Sequence, residues 1–316
     1  MPFETIDTSR VFIAGHKGMI GSAIGRKISG NFIKADKRIL DLRRQDMVEA
    51  FFAAYRPEVV ILAAAKSGGI HASNSYRAEF MYDNLQIQSN IIHCSYLFGV
   101  KKLLFLGGSS IYPKFANQPI KEEYLLNSPL ECTNEPDSIA KIAGIKMCES
   151  YNRQYGSNFV SVISTNLYGE NDNFDSMDAH VLPALLRRFH EAKASGAQEV
   201  EVWGTGKAKR EFMHVDDMAD ACLHVLNTIS AKEVYDKGVS HINIGTGVDI
   251  SISELAEKIA KITGFTGKIK YQLDKPDGAL RKLLDVSFLN KSGWEYKIKL
   301  DDGLKSTYNW YERNSV

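Results

Sequence analysis

Glycines at positions 15, 18 and 21 carry the most specific chemistry in this sequence of 316 residues. They follow the apolar run Arg10-Val11-Phe12-Ile13-Ala14 and open a segment with helical periodicity. In that context Gly15 permits a tight turn and Gly18 lets the backbone approach a pyrophosphate. Gly21 lets the helix pack closely on the strand. The helix N-terminus then offers unpaired N–H groups to an anion. A turn of this kind binds a dinucleotide, and Lys17, Met19 and Ile20 belong to it. Further on, Lys34-Ala35-Asp36-Lys37-Arg38 follows a second apolar stretch. An acidic residue there binds the ribose hydroxyls of NAD, whereas basic residues pair with the extra 2′-phosphate of NADP. Cations outnumber the single Asp36, so Lys17, Lys37 and Arg38 point to NADP(H).

These residues need a scaffold, and the first half of the chain alternates strand and helix. The apolar strands run from Arg10 to Gly15, Asn31 to Ala35, Glu58 to Ala64, Lys102 to Gly107 and Asn158 to Ile163. Between them, helical spacing covers Met19 to Ser29, Gln45 to Tyr55, Asn84 to Leu97 and Ser138 to Tyr155. Continuously apolar strands separated by helices predict a parallel sheet covered on both faces. Right-handed crossovers make it a doubly wound α/β sheet, the Rossmann arrangement. After Asn166 the pattern loosens into polar loops with helices over Val181–Lys193, Met218–Thr228 and Ser253–Thr263. The expected division is a nucleotide-binding domain over 1–165 with a returning segment over about 212–247. A smaller α/β C-terminal substrate domain takes 166–211 and 248–316.

Bulk properties narrow the partners. Lys+Arg is 39 against Asp+Glu of 38, so there is no broad basic field for nucleic acid or a membrane surface. No run of 18 or more apolar residues predicts a membrane span. The acidic opening Met1-Pro2-Phe3-Glu4-Thr5-Ile6-Asp7 lacks the apolar stretch of a secretion signal. Cys94, Cys132, Cys148 and Cys222 are scattered, which predicts reduced thiols in the cytoplasm and no metal site.

Several longer motifs carry a family resemblance. They are Gly15-His16-Lys17-Gly18-Met19-Ile20-Gly21, Ala63-Ala64-Ala65-Lys66-Ser67-Gly68-Gly69-Ile70, Ser109-Ser110-Ile111-Tyr112-Pro113, Asn134-Glu135-Pro136 and Ala140-Lys141. Thr165-Asn166-Leu167-Tyr168-Gly169, His180-Val181-Leu182-Pro183-Ala184-Leu185, Arg210-Glu211-Phe212-Met213-His214-Val215-Asp216-Asp217 and Lys275-Pro276-Asp277-Gly278 complete them. Over nearly its whole length the chain resembles the GDP-L-fucose synthases of the extended short-chain dehydrogenase/reductase family. The resemblance implies a homodimer, NADPH and a GDP-linked 4-keto-6-deoxy sugar. It adds Ala64 and Lys141 to the cofactor site. It places Asn166, His180, Val181, Leu185, Val202, Trp203, Arg210, Asp277 and Lys282 around the sugar nucleotide. Arg210 and Lys282 suit a diphosphate, and Trp203 with Asp277 suits a base.

The same resemblance exposes departures. The family's reductase chemistry uses a serine, and a tyrosine four residues before a lysine. The lysine is Lys141, but the tyrosine position is Asp137 and the serine position is Gly108. The family's epimerase cysteine is replaced by Ser110, while the epimerase histidine is kept as His180. Losing a positioned general acid costs about 10²- to 10⁴-fold. The expected role of Asp137 is an ion pair with Lys141, or a carboxylate at a helix N-terminus. The reading is reduction of the C4 ketone of a GDP-4-keto-6-deoxy hexose or heptose. The proton comes from water, Ser109, Ser110 or a protonated Asp137, and the epimerase step is weakened. Two alternatives stand beside it: a full C3/C5 epimerase and C4 reductase, and a catalytically impaired protein that binds NADP and GDP-sugar.

Overall fold

A strand with no residue to spare for water must lie inside a sheet covered on both faces. The first strand, β1 (Val11–Ala14), is buried at every position. The structure is a computed structural model describing residues 7–28, 31–174, 179–275 and 278–314. After β1 come α1 (Met19–Lys27), α2 (Gln45–Tyr55), β2 (Val59–Leu62), α3 (Ile70–Ser75), α4 (Arg77–Leu97), β3 (Lys102–Gly108), α5 (Glu135–Tyr155), β4 (Phe159–Ser164), β5 (Asn166–Tyr168) and α6 (Val181–Ser195). The rest of the chain forms β6 (Glu199–Trp203), β7 (Lys209–His214), α7 (Val215–Thr228), α8 (Ala231–Tyr235), β8 (Ile242–Ile244), β9 (Asp249–Ser251), α9 (Ile252–Thr263), β10 (Lys268–Gln272), β11 (Arg281–Lys282), α10 (Ser287–Lys291) and α11 (Leu300–Asn314).

The main sheet is parallel, in the order β1-β2-β3-β4-β8. On the free side of β1 the expected strand over 31–35 is reduced to one parallel bridge, Phe12 to Ile33. Two backbone hydrogen bonds make it, Ile33 N to Val11 O at 2.8 Å and Ile13 N to Ile33 O at 3.2 Å. This is the sheet margin, and Asn31 and Lys34 are exposed there, so little apolar surface rewards a longer pairing. The chain leaves β1 to one side after α1 and to the other after α2. That reversal places the crevice for a ligand at the C-terminal end of β1.

Helices cover both faces. One apolar cluster joins Val11, Ile13 and Val160 to Ile24 of α1 and to Met218, Cys222 and Val225 of α7. The other joins Phe12, Val60 and Phe105 to Phe52 of α2, Ile91 of α4 and Ile145 of α5. A third, separate cluster gathers Tyr168, Leu186, Phe189, Val202, Leu255, Ile259, Leu304 and Tyr308. Around it lie two small sheets, β6 with β10, and β5-β7-β11 with β9 antiparallel on β7. Leu289 and Trp294, from the 248–316 stretch, pack into the first cluster beside the main sheet.

Helix α5 begins before Ser138 because Pro136 stands in its first turn, where a missing N–H costs nothing. Glu135 and Asp137 add favourable charge at that end, and Gly156 closes the helix in the left-handed conformation. Its partner α4 also starts earlier than its apolar spacing indicates, at Arg77. None of the described helices is long and apolar enough to cross a membrane. All four cysteines are free thiols. Among the described residues no group of three or more His, Cys, Asp or Glu side chains is arranged to hold a metal ion.

Candidate active site

The cofactor end is built by the turn between β1 and α1. Gly15 has φ +90°, and a Cβ there would lie 2.7 Å from the backbone N of Ala64. A Cβ on Gly21 would overlap the carbonyl oxygen of Gly15. Gly18 differs: its φ is −71°, and an added Cβ would meet only Gly15 O, at 3.4 Å. The protein itself therefore demands glycine at 15 and 21. The open cradle beside Gly18 fits a phosphate group approaching the backbone. Gly18 is also the N-cap of α1 and supplies no side-chain cap, so the first N–H groups of the helix stay available. Met19 and Ile20 are half-buried against the first cluster.

The charge pattern beside this turn suits a 2′-phosphate. Lys17 Nζ sits 2.8 Å from Asp36 Oδ1, and His16 Nε2 is 3.4 Å from the same oxygen. The hydrogen bond from Lys17 holds the Asp36 carboxyl below its usual range. Burial lowers the His16 imidazole, against the pull of Asp36. The one acid of this segment is thus already engaged, while Lys37 and Arg38 are exposed beside it.

The candidate reaction end lies where β3 stops and α5 starts. Lys141 Nζ donates to Asp137 Oδ2 at 2.8 Å, the ion pair expected from one helical turn of separation. Asp137 is 8% exposed, and its other oxygen accepts from Asn84 Nδ2 of α4 at 3.0 Å. Asn84 also binds the backbone of Lys66 twice, accepting from its N at 2.7 Å and donating to its O at 3.0 Å. Gly108 faces the same ammonium: a Cβ there would be 3.7 Å from Lys141 Nζ. Ser109 is buried in the turn after β3, and the carbonyl of half-buried Ser110 accepts from Ser138 Oγ at 3.0 Å. A small cavity lined by Ala64, Ala65, Asn84, Gln88, Phe105 and Leu106 opens onto Lys141. Ala64 thereby links the glycine turn to Lys141.

His180, the N-cap residue of α6, faces this group. Its residue surface is open to solvent. Desolvation lowers its pKa below the ordinary value. The Lys141 charge lowers it further, and Asp137 opposes both. The imidazole is therefore neutral at pH 7 and able to accept a proton.

The third part of the site is cationic. Strand β11 pairs with β7 so that Lys282 lies opposite Arg210. Burial pushes the Lys282 ammonium down to about 8, helped by Arg210 and Lys141 and opposed by Glu131. Three like charges felt at one point call for an anionic ligand. Trp203 is 56% exposed at the end of β6, with Arg188 and Lys275 at 5.9 and 6.0 Å from its ring centroid. An exposed aromatic face of this kind offers a base a stacking surface. Val181 is partly exposed at the start of α6. Leu185 and Val202 are 3% and 1% exposed within the third cluster, so they back the wall and do not line it. The Asn166 amide is tied to the Glu211 carbonyl at 2.9 Å. Asp277 lies outside the described residues.

Two residues at the site carry no signal that singles them out in the sequence alone. Asn84 is one, although Asn84 and Gln88 on the buried face of α4, with Ile91 and Ser95, form a polar pair at helical spacing. Glu211 is the other: fully buried, it accepts from the backbone N of Thr246, Gly247 and Leu284 at 2.6, 2.7 and 3.0 Å.

A glycine-cradled dinucleotide turn at the switch point, facing a helix-borne lysine and a cationic cleft, defines a nucleotide-dependent oxidoreductase of the doubly wound class. The chain matches the NAD dependent epimerase/dehydratase family over residues 11–245 and belongs to it. It is 54% identical over 313 residues to the GDP-L-fucose synthase of Escherichia coli (strain K12), covering 96% of this chain and 97% of that one. Among solved structures it resembles a GDP-mannoheptose C4 reductase from Campylobacter jejuni with NADP bound, at 42% identity and TM-score 0.88 over 96% of this chain and 98% of that one. A GDP-6-OMe-4-keto-L-xylo-heptose reductase from the same organism superposes with TM-score 0.90 at 41% identity, covering 96% and 98% of the two chains.

Proposed function

We propose that this chain uses NADPH to reduce the C4 ketone of a GDP-linked 4-keto sugar, a 6-deoxyhexose or a heptose, with little or no epimerisation. The observation that carries the reading is the convergence of Lys141, Gly108 and His180 with the Lys282–Arg210 pair on one cleft. The relatives acting on GDP-sugars support the substrate class, and the neighbour with bound NADP supports the cofactor.

The dinucleotide, when bound, supplies a hydride. The chain's own residues do the rest. Gly15, Gly18 and Gly21 with the N-terminus of α1 take the pyrophosphate, and Lys17, Lys37 and Arg38 take the 2′-phosphate. Lys141 and Ala64 stand at the nicotinamide ribose. Lys282 and Arg210 hold the GDP diphosphate, and Trp203 stacks on the base. The ketone then lies between Lys141 and His180. Ser110 stands where the family's epimerase step uses a cysteine, and a hydroxyl is a far weaker acid than a thiol. This favours reduction without proton exchange at the neighbouring carbons.

We further propose that 166–211 and 248–316 form the sugar-nucleotide domain, around the third apolar cluster. The protein is read as a cytoplasmic homodimer pairing through α4 and α5. On those helices Tyr82 is exposed, and Tyr96 stacks on Tyr155 at 4.2 Å.

The test follows NADPH absorbance with GDP-4-keto-6-deoxymannose and with a GDP-4-keto-heptose in D2O. Oxidation with no deuterium at C3 or C5 is the expected result. Deuterium at both carbons would indicate a full epimerase and reductase. No turnover above a cofactor blank, with NADPH and GDP still bound, would overturn the reading in favour of a binding protein.

A further inference from the structure

We infer that Lys141 itself delivers the proton to the ketone oxygen, with Asp137 serving as its anchored counter-ion. The inference rests on the reductase reading above and names the acid that reading leaves open.

Asp137 is arranged as an acceptor on both oxygens. Oδ2 takes Lys141 Nζ at 2.8 Å and Oδ1 takes Asn84 Nδ2 at 3.0 Å. Asn84 cannot turn round to accept instead, because its own oxygen is engaged by Lys66 N at 2.7 Å. Both of its partners are donors, which suits a carboxylate. Ser109 and Ser110 carry hydroxyls, which are much weaker acids than a phenol or an ammonium. Desolvation keeps His180 neutral. Among the described side chains at this end, the remaining acid is the ammonium of Lys141.

As classes, ammonium and phenol groups ionise in the same range, at about 10. An amine can therefore take over a phenol's proton transfer with a similar driving force. Nζ carries three N–H bonds, and among the described residues only Asp137 engages one of them. Gly108 leaves the space beside the ammonium open, since a Cβ there would lie 3.7 Å from Nζ. The cavity on which Lys141 opens is otherwise lined by uncharged residues.

The step balances without a further reactant. Hydride from the reduced nicotinamide forms the new C4–H bond, and the carbonyl π pair moves onto oxygen. One N–H bond of Lys141 breaks as the O–H bond forms. Lys141 is left as a neutral amine, and water returns its proton. The charged or titratable groups facing Nζ are Asp137 on its own helix, His180 from the start of α6 and Lys282 from β11. Helix α4 contributes only the neutral Asn84 and Gln88.

The experiment compares the whole wild-type chain with Lys141→Arg and Asp137→Asn, reading NADPH affinity by fluorescence and kcat across pH. Arginine keeps the charge and the donors but does not release a proton in this range. Lys141→Arg should bind NADPH nearly as well as wild type and lose kcat by about 10²-fold or more. Asp137→Asn should bind NADPH and keep turning over, because the N–H donors of Lys141 remain. Wild-type kcat in Lys141→Arg would overturn the inference. So would an Asp137→Asn variant that binds NADPH but is inactive, which would make Asp137 the acid. If Lys141→Arg does not fold, turnover by Asp137→Asn decides between Lys141 and Asp137. A wild-type chain that oxidises no NADPH with any such ketone would instead sink the reductase reading.

Discussion

Gly108 and Lys141 face each other across the end of β3, with a Cβ at 108 placed 3.7 Å from the ammonium nitrogen. That spacing is room for a serine side chain, and the carboxylate at 137 already stands beside the same nitrogen. The scaffold for a phenol and a hydroxyl is thus present without the groups themselves. Gly108→Ser with Asp137→Tyr should raise the reduction rate by at least about tenfold, the low end of a positioned acid's effect. Single-turnover NADPH oxidation measures it. An unchanged or lower rate would mean that the native Lys141–Asp137 pair already supplies all the acid catalysis the site can use.

Ser110 allows a separate test of proton exchange. It lies in the turn held to α5 by the Ser138 hydrogen bond, so its backbone position is secured whatever its side chain. Ser110→Cys introduces a thiol able to exchange protons near pH 8. Deuterium should then enter C3 or C5 of the product from D2O, with His180 as the partner base. Mass spectrometry of the sugar reads the outcome, and His180→Gln in the same background should remove the label.

The glycine turn separates what the fold needs from what the ligand needs. Gly18→Ala adds a methyl whose nearest neighbour is Gly15 O at 3.4 Å, at an ordinary φ of −71°. Tm should therefore barely move, while NADPH affinity falls at least about tenfold, because the methyl occupies the pyrophosphate's approach. Gly15→Ala, at φ +90° and 2.7 Å from Ala64 N, should lower both stability and affinity. Thermal melts and fluorescence titration distinguish the two patterns. A large loss of Tm in Gly18→Ala would refute this division of labour.

The cationic end of the cleft predicts a pH dependence. The folded Lys282 pKa is lowered from 10.5 to about 8 by burial and by its cationic neighbours. It is charged below that value and loses its proton as pH rises through it. Affinity for GDP should be steady from pH 6 to 7.5 and fall above about pH 8. Stability runs the other way: between about 8 and 10.5 the unfolded chain holds the extra proton, so this residue's contribution to stability rises with pH. Lys282→Arg should flatten the alkaline loss of GDP affinity, since a guanidinium stays charged. Calorimetric titration at several pH values checks both parts.

Legibility in the sequence followed burial. The strands of the main sheet are mostly apolar, so β1, β2, β3 and β4 are readable to within two residues at every end. The C-terminal strands were not identified, although β6 and β10 alternate in the chain as Glu199-Val200-Glu201-Val202-Trp203 and Lys268-Ile269-Lys270-Tyr271-Gln272. Runs of five alternating residues among helices are weak against base expectations, and β5, β8, β9 and β11 are shorter still. The strand over 31–35 failed for the opposite reason, since its apolar residues had only one neighbour to pair with. At the site, Gly15 was legible because a dinucleotide turn needs a particular glycine spacing, and Lys141 only through the family resemblance. Asn84 was not, because its importance comes from Asp137, 53 positions away.

Glu211 shows how such a hidden residue can be tested. Its carboxylate is 0% exposed and gathers the N–H groups of Thr246 and Gly247 after β8 and of Leu284 after β11. Burial raises its pKa, and those donors pull it back. Arg210 precedes it in β7, and Lys282 lies two residues before Leu284. The carboxylate therefore ties together the two strands that carry Arg210 and Lys282. Glu211→Gln keeps the shape but turns an NH2 group toward N–H donors that then lack an acceptor, at a cost of about 1–3 kcal/mol. The strain falls on the Lys282 and Arg210 strands. GDP affinity should drop about tenfold or more on that scale, with NADPH affinity unchanged. In a Lys282→Met background the same substitution should cost much less GDP affinity, because the group it positions is already gone. Equal losses of GDP and NADPH affinity would show that Glu211 supports the whole fold and has no particular hold on the diphosphate site.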